Sequence, residues 1–234
     1  MNVKRVWAVY FSATGTTREV VSRVAKATAA GLGVVHKTYV FALEARERVP
    51  AFAISDLVVP GTPVYAGRVP NLLVKYLTPV WVNGALVAPV VLFGNRNDDD
   101  AHIGLRDIRE VNGFDTVAAG AFAGEHWFSY ALGPGRPDKA DMTVADSFSK
   151  RVVEKLGTIP DIHRPAPISV RSVPSPYRSR YWPLDHQGNP VDYRDIRPLA
   201  SDGGNDGRHY AQSCLMGSIS CDNISEYTGI YIRC

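Results

Sequence analysis

Cysteine is scarce and lopsided in this chain: of 234 residues three are cysteine, at Cys214, Cys221 and Cys234, and none precedes them. An odd count would leave any disulfide framework with a spare thiol. Charge of one sign is lacking too, with 26 Lys and Arg against 23 Asp and Glu, a net of +3. There is no Lys/Arg-rich run and no interleaving of basic with aromatic residues, which argues against a nucleic-acid partner. No apolar stretch is long enough to cross a bilayer, and "MNVKRVW" enters a strand-like run without the apolar region of a signal peptide. These absences predict a soluble, cytoplasmic protein with no membrane partner. Lysine is missing from residue 161 onward, where eight Arg balance eight acidic residues, so the positive excess belongs to the body.

What is present is a body able to form a core. The chain is 45% hydrophobic and long enough for one domain plus an appendage. Residues 3–11 read as a strand, and 16–31 as a helix with Val20, Val24 and Ala27 on one side. Residues 33–41 are strand-like, and 54–65 form a buried strand broken at Pro60 and Gly61. A short helix over 69–77 has proline near its start, and 85–95 is a strand containing Pro89. Residues 98–113 read as a helix with acids in its first turn and glycine at its end. A fifth strand spans 114–126, and a helix over 138–157 carries Ala140, Val144, Phe148, Val152 and Leu156 as a core stripe. Strands alternating with helices imply an α/β fold, with a parallel sheet covered on both faces and right-handed crossovers. Such sheets bind ligands outside the carboxyl ends of their strands, which singles out Phe11, Pro60–Thr62 and Phe93–Asn95.

The first strand ends in "SATGTT", residues 12–17, where a helix begins. A helix start carries orphan N–H groups and a partial positive charge, and small residues let the backbone wrap an anion. Ser12, Thr14, Thr16 and Thr17 offer hydroxyls, and Gly15 offers a backbone conformation other residues resist. The pattern is neither GxxxxGK[ST] nor GxGxxG, which sets aside a nucleotide triphosphatase and a dinucleotide fingerprint. A plain Thr N-cap without ligand is the simpler reading of the same six residues. After the third strand, "PVYAG" (Pro63, Val64, Tyr65, Ala66, Gly67) offers a flat ring and a flexible peptide. After the fourth, Gly94, Asn95 and Arg96 offer polar groups to a ring edge. One phosphate turn and two ring-holding loops on one side of a sheet describe a mononucleotide with a planar head. Glu125 and His126 follow the fifth strand; they read either as a proton relay or as a pair fixing local structure, and Trp127 as a ring cover or core filler.

"SATGTT" resembles the flavodoxin phosphate loop [ST]-x-T-G-x-T. "PVYAGRVP", "GNR" and "GEHWFSYALGPGRPD" resemble loops of a bacterial group that fuses a flavodoxin-like domain to a two-cluster ferredoxin. The resemblance implies a three-layer, doubly wound five-stranded parallel sheet in the order 2-1-3-4-5. It implies FMN, with the ribityl phosphate on Ser12, Thr14, Gly15, Thr16 and Thr17. The isoalloxazine would lie between Pro63, Val64, Tyr65, Ala66 and Gly67 on one side and Gly94, Asn95 and Arg96 on the other. It implies an electron-transfer protein or oxidoreductase whose partner is a ferredoxin, a reductase or a small acceptor. An FMN-dependent quinone or nitro reductase, or a non-catalytic flavin-binding remnant, are the alternatives.

Residues 1–159 would form that flavodoxin-like domain. Residues 160–199 form a Pro-rich arm, since eight of the 16 prolines fall in 160–198, and its tyrosines and Trp182 suit packing on the body or on a second subunit of a homodimer. Residues 200–234 resemble a degenerate ferredoxin. The cluster motif C-x2-C-x2-C-x3-C-P, counted back from Cys214, expects cysteines where Tyr210, Gly207 and Gly204 stand, and proline where Leu215 stands. "GIYIRC" at the end resembles the opening of a second motif with Tyr231 in place of a cysteine. Two retained thiolates, Cys214 and Cys234, cannot hold a four-iron cube, so no intact 4Fe-4S cluster is expected. The spacing of His209, Cys214, Cys221 and Cys234 matches no zinc template.

Overall fold

The computed structural model describes residues 3–41, 50–65, 67–70, 73–74, 77, 84–94, 97–126, 133–159 and 168. Residues 160–234, where an arm and a degenerate ferredoxin-like segment were expected, lie outside the described residues apart from Ile168, as do all three cysteines. In chain order the elements are β1 (Arg5–Tyr10), α1 (Thr16–Leu32), β2 (Val35–Val40), β3 (Asp56–Pro63), β4 (Leu86–Val87), β5 (Val90–Phe93), α2 (Ala101–Val111), β6 (Asp115–Thr116), β7 (Gly120–Ala123) and α3 (Lys139–Thr158). Leu73, Val74 and Leu77 of the expected 69–77 helix are helical as well.

Every ladder among the described residues is parallel. β1 lies between β2 and β3, with Arg5 opposite both Val35 and Asp56. β3 pairs with β4 at Leu57 and Val58, then with β5 from Gly61 to Pro63. β4 pairs with β6 and β5 with β7. β4 and β5 occupy one strand position and β6 and β7 the next, so five positions run in the order 2-1-3-4-5.

The strand over 54–65 is not broken at Pro60 and Gly61: β3 runs through both. Pro60 faces Val9 in the register with β1, and on the other side it sits where β3 passes from β4 to β5. That passage is also where Ala88 and Pro89 interrupt the fourth strand position; Pro60 turns its side without an N–H toward that interruption, while Pro89 turns its own toward the next position. Ala88 N still donates to Val58 O at 2.9 Å, and Gly120 N to Pro89 O at 2.9 Å, which carries the sheet across.

Alternation along β1 divides the core. Val6, Ala8 and Tyr10 join α1 and α3 on one face, with Val20, Val24, Phe148, Val152 and Leu156. Trp7, Val9 and Phe11 join Leu73, Leu77, Leu105 and Phe114 on the other. The stripe expected on the last helix is displaced in its first half. Ala140 and Val144 are exposed, and Asp141 and Ala145 are buried instead. A strict spacing of four drifts about 40° per step around a helix, too far for one face to keep all five. Asp141 turns inward because Asp138 caps the helix through the amides of Ala140 and Asp141 while Asp141 accepts from Asp138 N and Arg136.

Candidate functional site

The turn after β1 is closed by a side chain. Ser12 Oγ accepts the amides of Gly15 and Arg18, each at 3.1 Å. Gly15 is the N-cap of α1 and sits at φ +99°, ψ −23°, so the conformational freedom expected of it is used. The N-cap is therefore glycine with no side-chain cap, and the simple Thr cap is not what forms. Thr14 and Thr16 face each other, Oγ1 to Oγ1 at 3.3 Å. Because Ser12 Oγ accepts twice, its own proton is available to an acceptor outside the turn. Thr17 points the other way: it is buried, and its methyl approaches Gly61. A Cβ on Gly61 would stand 2.2 Å from Val21 Cγ2 and 3.3 Å from Thr17 Cγ2, so the bare glycine lets the first turns of α1 lie directly on β3.

Arg18 was not singled out from the sequence. Its Nη2 lies 3.4 Å from where a Cβ on Gly15 would be, over the turn. A cation in the first helical turn opposes the helix dipole unless an anion sits there, and that is the signal by which it could have been found. Glu19 beside it supplies the usual first-turn acid.

The second loop is a tight turn. Tyr65 and Arg68 exchange backbone hydrogen bonds, Tyr65 N to Arg68 O at 2.9 Å and Arg68 N to Tyr65 O at 3.1 Å. Gly67 holds φ +75° between them. Pro63, Val64 and Tyr65 are half-buried, and Val64 N donates to Leu92 O at 2.7 Å, tying the turn to β5. Ala66, Asn95 and Arg96 lie outside the described residues, and so does Trp127. Gly94 is described, and it is pressed: a Cβ there would meet His126 Cδ2 at 2.8 Å and His126 Cα at 3.0 Å. Gly124 N donates to Phe93 O at 2.9 Å, and a Cβ on Gly124 would lie 3.6 Å from Thr16 Cβ. The loop after β7 therefore links the turn at residues 12–17 to Gly94. Glu125 is exposed, and burial pushes the His126 imidazole below its ordinary range.

The acids at 98–100 do not start the helix as expected. α2 begins at Ala101, and Asp98, Asp99 and Asp100 form the turn before it. Asp99 adopts φ +42°, which a helix cannot contain. The structure thus brings together, at the carboxyl ends of the parallel strands, the 12–15, 64–68, 94 and 124–126 segments. The first two flank the place where the chain reverses from β2 to β3 across β1, which is where doubly wound sheets bind ligands.

No protein-family model matches the chain, and no curated protein matches it. Solved structures do. An oxidoreductase from Corynebacterium diphtheriae superposes with a TM-score of 0.50 at 16% identity, over 67% of this chain and 96% of that one. The fold is flavodoxin-like. Oxidised flavodoxin 2 from Bacillus cereus gives 0.49 at 16% identity, over 65% of this chain and 99% of its own. A Streptococcus pneumonia TIGR4 flavodoxin gives 0.46 at 15%, over 64% and 99%. Among the described residues no helix of this flavodoxin-like body is long and apolar enough to cross a membrane, and no cluster of His, Cys, Asp or Glu is arranged to hold a metal.

Proposed function

We propose that this chain binds FMN and passes electrons between a reduced partner protein and an acceptor. The observation that carries the reading is the turn at residues 12–18. The left-handed Gly15, the Ser12 hydroxyl with its proton unspent, the paired Thr14 and Thr16 hydroxyls and the Arg18 guanidinium all gather at one helix N-terminus. That set fits a phosphate monoester dianion: several short donors, a cation and the positive end of a helix, with no bulky side chain in the way.

When bound, FMN supplies the redox chemistry. The chain's own part is to hold it. Ser12, Thr14 and Thr16 orient the phosphate. Tyr65, Gly67 and Arg68 on one side and Gly94 on the other form the described walls at the β3 and β5 ends, and Ala66, Asn95 and Arg96 are the further ring-holding candidates of the sequence. The bare Gly94 lets His126, in the loop after β7, press against its wall. The positive excess of the body suits an acidic redox partner, a ferredoxin or a reductase, better than a solitary acidic shuttle.

Titration of FMN with the purified chain tests this. Saturable fluorescence quenching with one flavin per chain is expected. Ser12→Ala and Thr14→Val should each weaken binding roughly tenfold or more, since a hydrogen bond to a charged group contributes about 1.5–3 kcal/mol. Unchanged FMN fluorescence at excess protein would overturn the reading.

A further inference from the structure

We propose that Asp99 is a positioning residue for the flavin: it fixes the 65–68 turn against the ring and sets a carboxylate beside it that opposes the charge gained on reduction. This rests on the FMN reading above and says which residue, distant in sequence from both ring-holding loops, governs one of them.

Three contacts tie the 97–100 turn to the 65–68 turn. Asp100 N donates to Gly67 O at 3.0 Å. Arg68 Nη2 lies 3.8 Å from Asp100 Oδ2. The Asp99 side chain covers the Gly67 α-carbon so closely that a Cβ on Gly67 would meet Asp99 Oδ2 at 2.5 Å and Asp99 Cβ at 2.8 Å. Asn97 Nδ2 donates to Asp99 Oδ1 at 3.0 Å, which leaves Oδ2 as the oxygen facing Gly67. Both partners hold positive φ, +75° for Gly67 and +42° for Asp99, and among the described residues Asp99 is the one non-glycine that does so. None of these residues belongs to the buried core: Gly67, Arg68, Asp99 and Asp100 are all half-exposed. A left-handed aspartate and three cross-contacts on a surface turn do nothing for core packing. They fix the backbone of Gly67, the residue that the FMN reading places against the ring.

The charge follows from the same geometry. Two-electron reduction places two electrons and one proton on the ring, leaving one negative charge. A carboxylate held on the wall of that site raises the free energy of the charged form and leaves the neutral oxidised form little affected.

The full chain is titrated with oxidised FMN, and anaerobically with dithionite-reduced FMN, for the unaltered protein, Asp99→Asn and Asp99→Ala, with a thermal melt as folding control. Asp99→Asn keeps the shape and loses the charge. It should bind oxidised FMN within about twofold of the parent and reduced FMN on the order of fivefold more tightly. Asp99→Ala, which uncovers Gly67, should tighten reduced FMN similarly and weaken oxidised FMN several-fold. An Asp99→Asn protein with an unchanged ratio of the two affinities refutes the charge role. An Asp99→Ala protein with unchanged oxidised binding refutes the brace. Absence of FMN binding by the unaltered protein is a different result; it overturns the cofactor reading, and this proposal with it.

Discussion

Replacing Gly61 by alanine tests how α1 is seated, and with it the turn at residues 12–17. Gly61 lies in β3 at a backbone conformation open to any residue, so the cost is one of space. The new methyl would stand 2.2 Å from Val21 Cγ2, where carbon pairs settle no closer than about 3.5 Å, a deficit of roughly 1.3 Å. Val21 cannot turn aside, because a β-branched side chain in a helix is nearly confined to one rotamer and Val21 is fully buried. Helix and strand must therefore separate at the first turns of α1, where the Thr17 methyl also lies against Gly61. Overpacking of this kind costs about 1–3 kcal/mol, offset by about 0.5–1 kcal/mol because glycine in a strand is itself unfavourable. A net loss of about 1–2 kcal/mol should lower Tm by roughly 2–8 °C in a domain of this size. Urea unfolding should show a lower midpoint at unchanged slope, and FMN titration a weaker complex, because the moved turn carries Thr14 and Thr16. Val21→Ala in the same chain should recover part of the loss, giving a coupling of opposite sign to the single changes. A Gly61→Ala protein within about 0.5 kcal/mol of the parent, binding FMN equally well, would refute the close seating of α1 on β3. Gly15→Ala is the contrasting case. There the nearest atom, Arg18 Nη2, is 3.4 Å away, but φ is +99°, so a loss of about 1–2 kcal/mol is expected from backbone strain alone.

Two further outcomes follow from buried polar groups. Asp56 is fully buried and accepts from Arg5 Nε at 2.7 Å, Trp7 Nε1 at 3.2 Å and Ala53 N at 2.9 Å. Asp56→Ala leaves the Trp7 and Ala53 donors without an acceptor, while Arg5 turns to water, so equilibrium unfolding should show a loss of about 2–4 kcal/mol; a loss under about 1 kcal/mol would count against the network. Burial holds His36, His102 and His126 below the ordinary histidine value, with Lys26 adding to the effect at His36 and Asp98 and Arg106 acting in opposite directions at His102. Because their folded values are depressed, the unfolded chain takes up protons first. Stability should be level above about pH 7 and fall as pH drops below about 6.5. Arg136 and Arg23 hold Asp141 and Asp146 below the usual carboxylate range, which adds a further loss below about pH 4. A melt that is flat from pH 7.5 to about 5 would contradict this.

The strand and helix order, the parallel sheet, its two-sided core and the glycine turn at residues 12–17 were legible in the sequence because each depends on short-range pattern. Apolar periodicity reports which side of an element is buried, and "SATGTT" declares a turn, a glycine needing positive φ and a helix start within six residues. The tertiary structure alone decided what meets across the sheet. Pro60 is accommodated because it falls where β3 passes from β4 to β5, an interruption that lies in another stretch of the chain. Gly94 is bare because of His126, and Gly61 because of Val21. The acids at 98–100 looked like the first turn of a helix, and only the approach of Gly67 makes one of them a left-handed brace. A composition or a local period carries no record of which distant backbone will come within van der Waals contact. That is settled by the packing of whole layers, and it is there that the walls of the site are made.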